Sequence, residues 1–560
     1  MSTVEHQYPT GPSRPFTIRP IGVYALSGLA ADGDRLYSVD TVRGYLIAVD
    51  PQTNNTVILN PHQLNEKDWR DVVGLSLWQD TFWFARDEEV FWCDRQTLKP
   101  VFFERLPYPV AGVAVWESTV YVSCQKSGYI HLFDRETGAP TGKFPQPGVG
   151  PETLSVNQSG LWVCDQVEQT VYCLDRQTGA VQLSALTPFS SPTGIAFYTP
   201  EADASPICYI VYADEEPYIR DDPNNRESPH ELTFRDRTFI HPLFLQPHSA
   251  ERYTLSNGFL VELSYVEELL PLDAVTLNHV EWRIALPSNT LRQRVRHVEP
   301  IGHPFTVEEQ NGQQVAVFRF DQIQPFQGGL LGWKAIVEMY SIKYALTPDD
   351  IDPENSLPPE LQRFLVDDDE LAMDTPTIQK AARDGAGTET NVLRKMLRIR
   401  NYVYDRLSYG IQPKIDTPDV ALDRGTASCG EYVGVLLALA RLNGIACRTI
   451  GRYKCPPHPE YRHLPLEPDF NHVWLEFYVP GVGWLPMESN VDDVIERGPY
   501  PQRFFMGLAW YHTEIGKGIP FSKMVAADKP EDLSVRDLAI NHIRFQVLDE
   551  LIPGDAIATA

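Results

Sequence analysis

Short apolar runs separated by polar turns fill the first 230 positions. Strict apolar–polar alternation follows to about residue 346, and a helical stripe first stands out at 391–407. In the first stretch a marker recurs: Asp50-Pro-Gln-Thr-Asn, Asp94-Arg-Gln-Thr-Leu, Asp134-Arg-Glu-Thr-Gly and Asp175-Arg-Gln-Thr-Gly, the aspartates 44, 40 and 41 residues apart. Asp, Thr and Gly suit a tight turn, since short polar side chains bond nearby backbone and Gly accepts positive φ. Each marker follows a short apolar strand, with another upstream such as Gly74-Leu-Ser-Leu77 or Gly112-Val-Ala-Val115. A fifth upstream strand starts at Gly194 without a clear marker after it. A period near 40 with several strands per unit predicts an all-β propeller over residues 1–232, because one such unit cannot bury its apolar faces alone. Five repeats are detectable, and a sixth blade could combine Phe16 to Tyr24 with sequence after residue 200. The expected role is a scaffold that binds a protein partner, separable from the rest of the chain.

From Tyr253 to Leu346 the runs 258–265, 279–286, 315–320 and 335–342 alternate strongly. Four or more half-buried strands predict an immunoglobulin-like β-sandwich over residues 233–347. Residues 347–359, rich in Asp and Pro, read as a linker. The run Asp367 to Glu370 lacks the oxygen spacing and central Gly of a calcium loop, so it reads as a solvated acidic turn.

The chemistry sits farther on. Val392, Met396, Ile399, Val403 and Leu407 form one helical stripe. Ser428, with Glu431 three residues later, is the capping-box pattern that opens a second helix, and Gly444 is its stop. Cys429 then takes the first helical position, beside unpaired N–H groups and the positive end of the dipole, where a thiol pKa falls. A cysteine beside a cap is by itself more readily a core residue. His472 alters that reading. In residues 471–478 a period of two puts Val473, Leu475 and Phe477 on one face and His472, Trp474, Glu476 and Tyr478 on the other, leaving His472 to face a cleft. If the following turn has a three-residue loop, Glu488 lies diagonal to His472 and Asn490 opposite it; a four-residue loop would turn Glu488 away. Trp474 and Trp484 read as packing.

Composition narrows the options. The chain has 560 residues, 43% hydrophobic and 22% charged, enough for three or four domains. Its net charge of −27, from 75 acidic and 48 basic residues, argues against nucleic acid or an anionic membrane surface as partner. The polar N-terminus lacks a secretory h-region, and no run is long enough to span a bilayer. Cys93, Cys124, Cys164, Cys173 and Cys208 lie in apolar runs without metal-ligand spacing, as buried hydrophobes in a reducing cytoplasm would. No cofactor or metal is expected.

The helix Gly425-x-x-x-Cys429-Gly-Glu-Tyr432, the phrase Leu442-Asn-Gly-Ile-Ala-Cys-Arg-Thr-Ile-Gly451, His472-Val-Trp-Leu-Glu476 and Gly483-Trp484 together resemble the transglutaminase-like superfamily of papain-type thiol enzymes. The resemblance covers about residues 355–525. It extends to the preceding β-rich region of bacterial members and to residues 507–521, with Tyr511 and His512, and leaves 526–560 as a C-terminal extension. It implies an α+β papain-like core with Cys429 as nucleophile, His472 as base and acid, and Glu488 as orienting acid. The family more often carries Asp at the last position, so Asn490 is an alternative there. The Cys429 N–H is a natural oxyanion donor, with the second donor unassigned. The implied activity is a cytoplasmic, bacterial-type thiol enzyme acting on amide or peptide bonds through an acyl-thioester, by hydrolysis. Transfer to an amine, as in a transglutaminase, is the alternative, and a noncatalytic protein-binding scaffold is the rival.

Overall fold

The computed structural model describes residues 16–62, 69–200, 205–221, 230–270, 276–368, 370–468, 471–528 and 534–554; the side chains of 214–237 are not among them. Most of the N-terminal segment read for a signal, and Asp369 of the acidic run, lie outside these residues. The repeat markers are turns closed by their aspartate. Asp134 Oδ1 accepts the Glu136 and Thr137 N–H groups at 3.2 and 2.9 Å and the Thr137 hydroxyl at 2.7 Å. Asp175 repeats the set with Gln177 and Thr178. Between turns run four antiparallel meanders of four strands, within residues 26–58, 72–105, 112–145 and 152–186. A fifth, three-stranded sheet comprises Pro192–Tyr198, Ile207–Asp221 and His230–Leu243.

Glycine on the innermost strands lets neighbouring blades meet. A Cβ on Gly74 would lie 2.6 Å from Gly112 Cα, and one on Gly194 would lie 2.7 Å from the Gly28 carbonyl carbon, so blade five abuts blade one. Ile18, expected to help build a sixth blade, instead bridges Ile240 on the outer strand of blade five, which ties the N-terminal segment into the ring. Among the described residues the ring has five blades. Adjacent blades share a core: Val39 and Leu46 pack with Phe82 and Phe84, Val90 with Val120, Ile130 with Leu161, and Ile47 with Val211. The core between blades four and five differs. Its residues Trp162, Val171, Leu186, Phe189, Ile210 and Phe239 continue without a break into both sheets of the middle region and into residues within 504–524, while the helices keep a core of their own.

The middle region holds two sheets. One contains Leu245–His248, Tyr253–Leu269, Gly329–Tyr344 and Gln293–Gly302; the other contains Thr306–Gln310, Gln313–Ile323 and Leu277–Ala285. Alternation buries Val261, Leu263, Trp333 and Val337 of the first with Trp282, Ile284 and Phe318 of the second. A self-contained immunoglobulin-like sandwich over 233–347 is not what forms. Ser522–Val525 pairs with Leu277–Ala285, and Ala539–Leu551, from the expected extension, pairs along Tyr253–Leu269. Strands distant in sequence complete these sheets because their edges would otherwise present unpaired backbone.

The remaining residues build helices α1 (Pro376–Ala386), α2 (Val392–Tyr404), α3 (Pro418–Arg424) and α4 (Cys429–Leu442) against a sheet of Cys447–Ile450, Trp474–Val479 and Gly483–Met487. Of the stripe read from sequence, Met396, Ile399 and Val403 on α2 and Leu407 just past it are buried and Val392 partly so, and Leu436, Leu437, Leu439 and Ala440 make α4 the centre of this core.

Candidate active site

Helix α3 ends at Gly425 in the left-handed region, and Thr426–Ala427 pairs in parallel with Ser408–Tyr409, so α4 must begin directly afterwards. Its cap is the capping box read from sequence. Ser428 Oγ accepts the Glu431 N–H at 3.5 Å, and Glu431 Oε2 accepts the Ser428 N–H at 2.7 Å. Arg424 Nη2 reaches Glu431 Oε1 at 2.7 Å and holds the box in place. Cys429 is therefore the first residue of α4. Of the eight cysteines it is the one not fully buried.

The hairpin has the three-residue loop: Val479 pairs with Gly483 and Leu475 with Met487. Continuing that register sets Glu488 diagonal to His472. The His472 Nε2–H donates to Glu488 Oε1 and Oε2 at 2.8 and 2.9 Å, and Ser489 N–H donates to Oε2 at 2.9 Å. The ring's other edge is left for the thiol, whose Sγ also lies 3.7 Å from the Asn471 carbonyl. Asn490, the alternative orienting residue, is bound elsewhere: its Oδ1 accepts the Ser489 hydroxyl at 2.9 Å. The His472 strand face does not open to solvent as alternation suggested. Trp474 and Glu476 are buried on the same side. Residues 512–518 cover that face, with Lys517 Nζ 2.6 Å from Glu476 Oε1 and the His512 ring edge-on to Trp474.

Electrostatics follow from these contacts. Burial works against ionisation of Cys429, but the hydrogen bond and charge of His472 and the Val473 N–H hold its thiol below the ordinary range. Burial pushes Cys93 and Cys447 the other way, up to about 12. His472 is raised: burial disfavours the cation, yet the Glu488 charge and the bond to Cys429 outweigh it. Glu488 is wholly buried; the charges of His472 and Lys454, together with two imidazole hydrogen bonds, hold it well below the usual carboxylate range. The shifts of thiol and imidazole both favour a thiolate–imidazolium pair. Tyr409, on the strand paired with Thr426–Ala427, has its phenol raised by burial and then by the Cys429 charge.

The second imidazole is His512, which the sequence pattern did not assign to the site. Its Nε2–H donates to Glu488 Oε1 at 2.7 Å, and antiparallel pairing sets it opposite Lys454, whose Nζ is 3.9 Å from the same oxygen. Burial drives the His512 pKa down to about 4, against the pull of Glu488, so the ring is neutral. Its one proton belongs on Nε2, facing the carboxylate. The 3.2 Å approach of Nδ1 to the Ala509 carbonyl is then a contact without a proton. His512 lies 24 residues past Glu488 on a two-residue strand, too short for any periodicity to reveal. Among the described residues no group of three or more His, Cys, Asp or Glu side chains could hold a metal ion. No helix among them is long and apolar enough to cross a membrane.

Comparison with known proteins bears on the fold of this domain. Residues 379–489, from α1 through Glu488, match the family model of the transglutaminase-like superfamily. A search of curated proteins found no match. Among solved structures, a protein from Cytophaga hutchinsonii with a provisional assignment as a cysteine protease is similar at a TM-score of 0.37 and 14% identity, covering 53% of this chain and 93% of that one. Glutaminyl cyclase from Myxococcus xanthus and the calcium-binding protein regucalcin from Agrobacterium tumefaciens each overlap at a TM-score of 0.27 and 13% identity, covering 40% of this chain and 94% of theirs. These overlaps are too loose to carry any argument about activity. Behind a propeller-like β region, then, this chain carries a domain of the transglutaminase-like superfamily.

Proposed function

We propose that the protein is a thiol enzyme that cleaves amide or peptide bonds. The Cys429 thiolate attacks the carbonyl carbon and forms an S–C bond. As the C–N bond breaks, His472 gives its proton to the leaving amine. Water, deprotonated by His472, then attacks the thioester, releasing a carboxylate and restoring the thiol–imidazole pair. Glu488 fixes the imidazole tautomer and stabilises the cation, and the Cys429 N–H faces the developing oxyanion. The observation that carries this reading is the continuous chain from Cys429 through His472 to Glu488, closed by Nε2 contacts of 2.8 and 2.9 Å. Unpaired cysteines among the described residues support a reducing compartment. The propeller supports a protein partner or substrate.

Alkylation by iodoacetamide across pH tests the reading. Cys429 should label at pH 6 at least about tenfold faster than a free thiol, because its pKa is lowered. His472→Ala should abolish that advantage and restore an ordinary thiol profile. Labelling no faster than a free thiol, and indifferent to His472→Ala, would leave only a scaffold. If the enzyme is active, acyl-Cys429 adducts that turn over in water alone identify a hydrolase, whereas turnover that requires an added amine identifies a transferase.

A further inference from the structure

Glu488 is held by two segments of chain besides its own strand, and both end on the same turn of the propeller. The first is residues 502–505. Glu488 N–H donates to the Phe504 carbonyl at 3.1 Å, and Met487 bridges Phe505. Glu168, in the turn of the fourth blade, accepts the Gln502 N–H at 2.8 Å through Oε2. From the middle sheet, Lys343 Nζ donates to the carbonyls of Gln502, Arg503 and Phe505, the last two at 2.9 and 3.2 Å. Asp492 secures the same segment, accepting Arg503 Nε at 2.8 Å and Phe504 N–H at 3.2 Å.

The second segment carries His512. Its ring stacks on Tyr511 at 4.8 Å and packs against Phe504 at 5.2 Å. The Tyr511 hydroxyl donates to Gln169 Oε1 at 3.3 Å. Gln169 cannot drift, because its Nε2 donates to the Thr187 carbonyl at 2.9 Å and its own carbonyl accepts the Thr187 N–H. Glu168 and Gln169 are 1% and 0% exposed, so neither is a surface residue that happens to touch a neighbour. The charged groups facing Glu168 include Lys343, Asp165, Asp492, Arg503 and Glu152.

We propose that Glu168 and Gln169 are positioning residues for the Cys429–His472–Glu488 site, so that the propeller forms part of the support of the catalytic acid. The proposal rests on the functional reading above. In this arrangement the fourth-blade turn fixes residues 502–505 and 511–512 together, and through them the Phe504 carbonyl and the His512 ring that set the Glu488 carboxylate. A turn displaced by a fraction of an ångström lets both supports relax, and the imidazole loses the partner that makes it basic.

The test uses the full chain and iodoacetamide as probe, reading the pH profile of Cys429 alkylation. Glu168→Ala and Gln169→Ala, singly and together, should move the acid midpoint upward and slow labelling at pH 6 on the order of tenfold, the scale of couplings carried through packed neighbours. Glu168→Gln keeps an acceptor for Gln502 N–H and should restore most of the rate. Asn257→Ala is the control: Asn257 Nδ2 donates to the Pro242 carbonyl of blade five at 2.9 Å, so it too removes a buried propeller contact, but one that touches neither the fourth-blade turn nor Thr187. It should lower the thermal midpoint and leave the profile unchanged. The single variants decide if the double one fails to fold. If Glu168→Ala and Gln169→Ala cost thermal stability yet keep the wild-type profile, the turn is only structural and the proposal is overturned. If wild-type Cys429 itself labels like a free thiol, it is the functional reading that fails instead.

Discussion

Glutamate at position 488 meets two imidazoles rather than one, and this changes what its neighbours can do. The Oε1 oxygen accepts from both His472 and His512, at 2.8 and 2.7 Å. Only His472 is poised to gain a proton, because burial and the nearby charges of Lys454 and Arg292 disfavour a cation at His512. His512 therefore opposes folding in acid. Its folded pKa, about 4, lies below the ordinary 6.5. Between those values the unfolded chain binds the proton and the folded one does not, so stability falls as pH drops from 6.5 towards 4. At pH 5 this group alone should have cost about 2 kcal/mol relative to pH 7. His512→Gln keeps a donor near Oε1 and cannot titrate. Urea unfolding at pH 7 and pH 5 should show the variant losing less stability on acidification than the wild type; equal losses would mean that His512 is protonated in the folded state. The placement of Cys429 and His472 was legible in sequence because one opens a long periodic helix and the other leads into an alternating strand. His512 was not, since nothing local distinguishes it from any buried histidine.

Elements carry the site through register and close approach. The three-residue hairpin loop sets Glu488 on the side of His472, and one residue more would have flipped it. That much could be read from alternation and turn composition. The burial of the polar strand face could not, because the residues covering Trp474 and Glu476 arrive from 512–518 and leave no trace in residues 471–478. Gly451 marks another such approach. It has φ +85°, and a Cβ there would fall 2.4 Å from the Trp474 ring. The next residue, Arg452, offers its carbonyl to the His472 N–H at 2.7 Å. Gly451→Ala should push Trp474 against His512 and tilt the strand entry that presents His472. A backbone misfit plus an overpacked core implies a loss of about 2 kcal/mol or more. Thermal unfolding should show this as a lowered midpoint, accompanied by slower Cys429 alkylation. A variant with wild-type stability would show that Trp474 has room to move.

At the scale of the whole molecule the repeats of sequence suggest a detachable module, and the core says otherwise. Four of the five interblade cores are closed, while the one between blades four and five runs on into both sheets and the thiol domain. Phe189 lies edge-on to Phe259, whose ring is 4.0 Å from Trp510, and Trp510 Nε1–H donates to the Pro188 carbonyl at 2.8 Å. Periodicity reports which faces are apolar but not what covers them, so the repeats could be counted without revealing this continuity. Cutting the chain after Leu243 would uncover Phe259 and Trp510 together, at about 1.5–3 kcal/mol for each large side chain. The hydrogen bonds of Trp510 and Ser256 to the propeller would pass to water, at about 0.5–1.5 kcal/mol each. The sum rivals the 5–15 kcal/mol total stability of an ordinary domain. Residues 244–560 expressed alone should therefore be aggregation-prone, bind a hydrophobic dye, and lose the fast alkylation of Cys429. A soluble fragment that unfolds cooperatively and alkylates like the full chain would show that the propeller, despite the shared core, is not needed for the rest to fold.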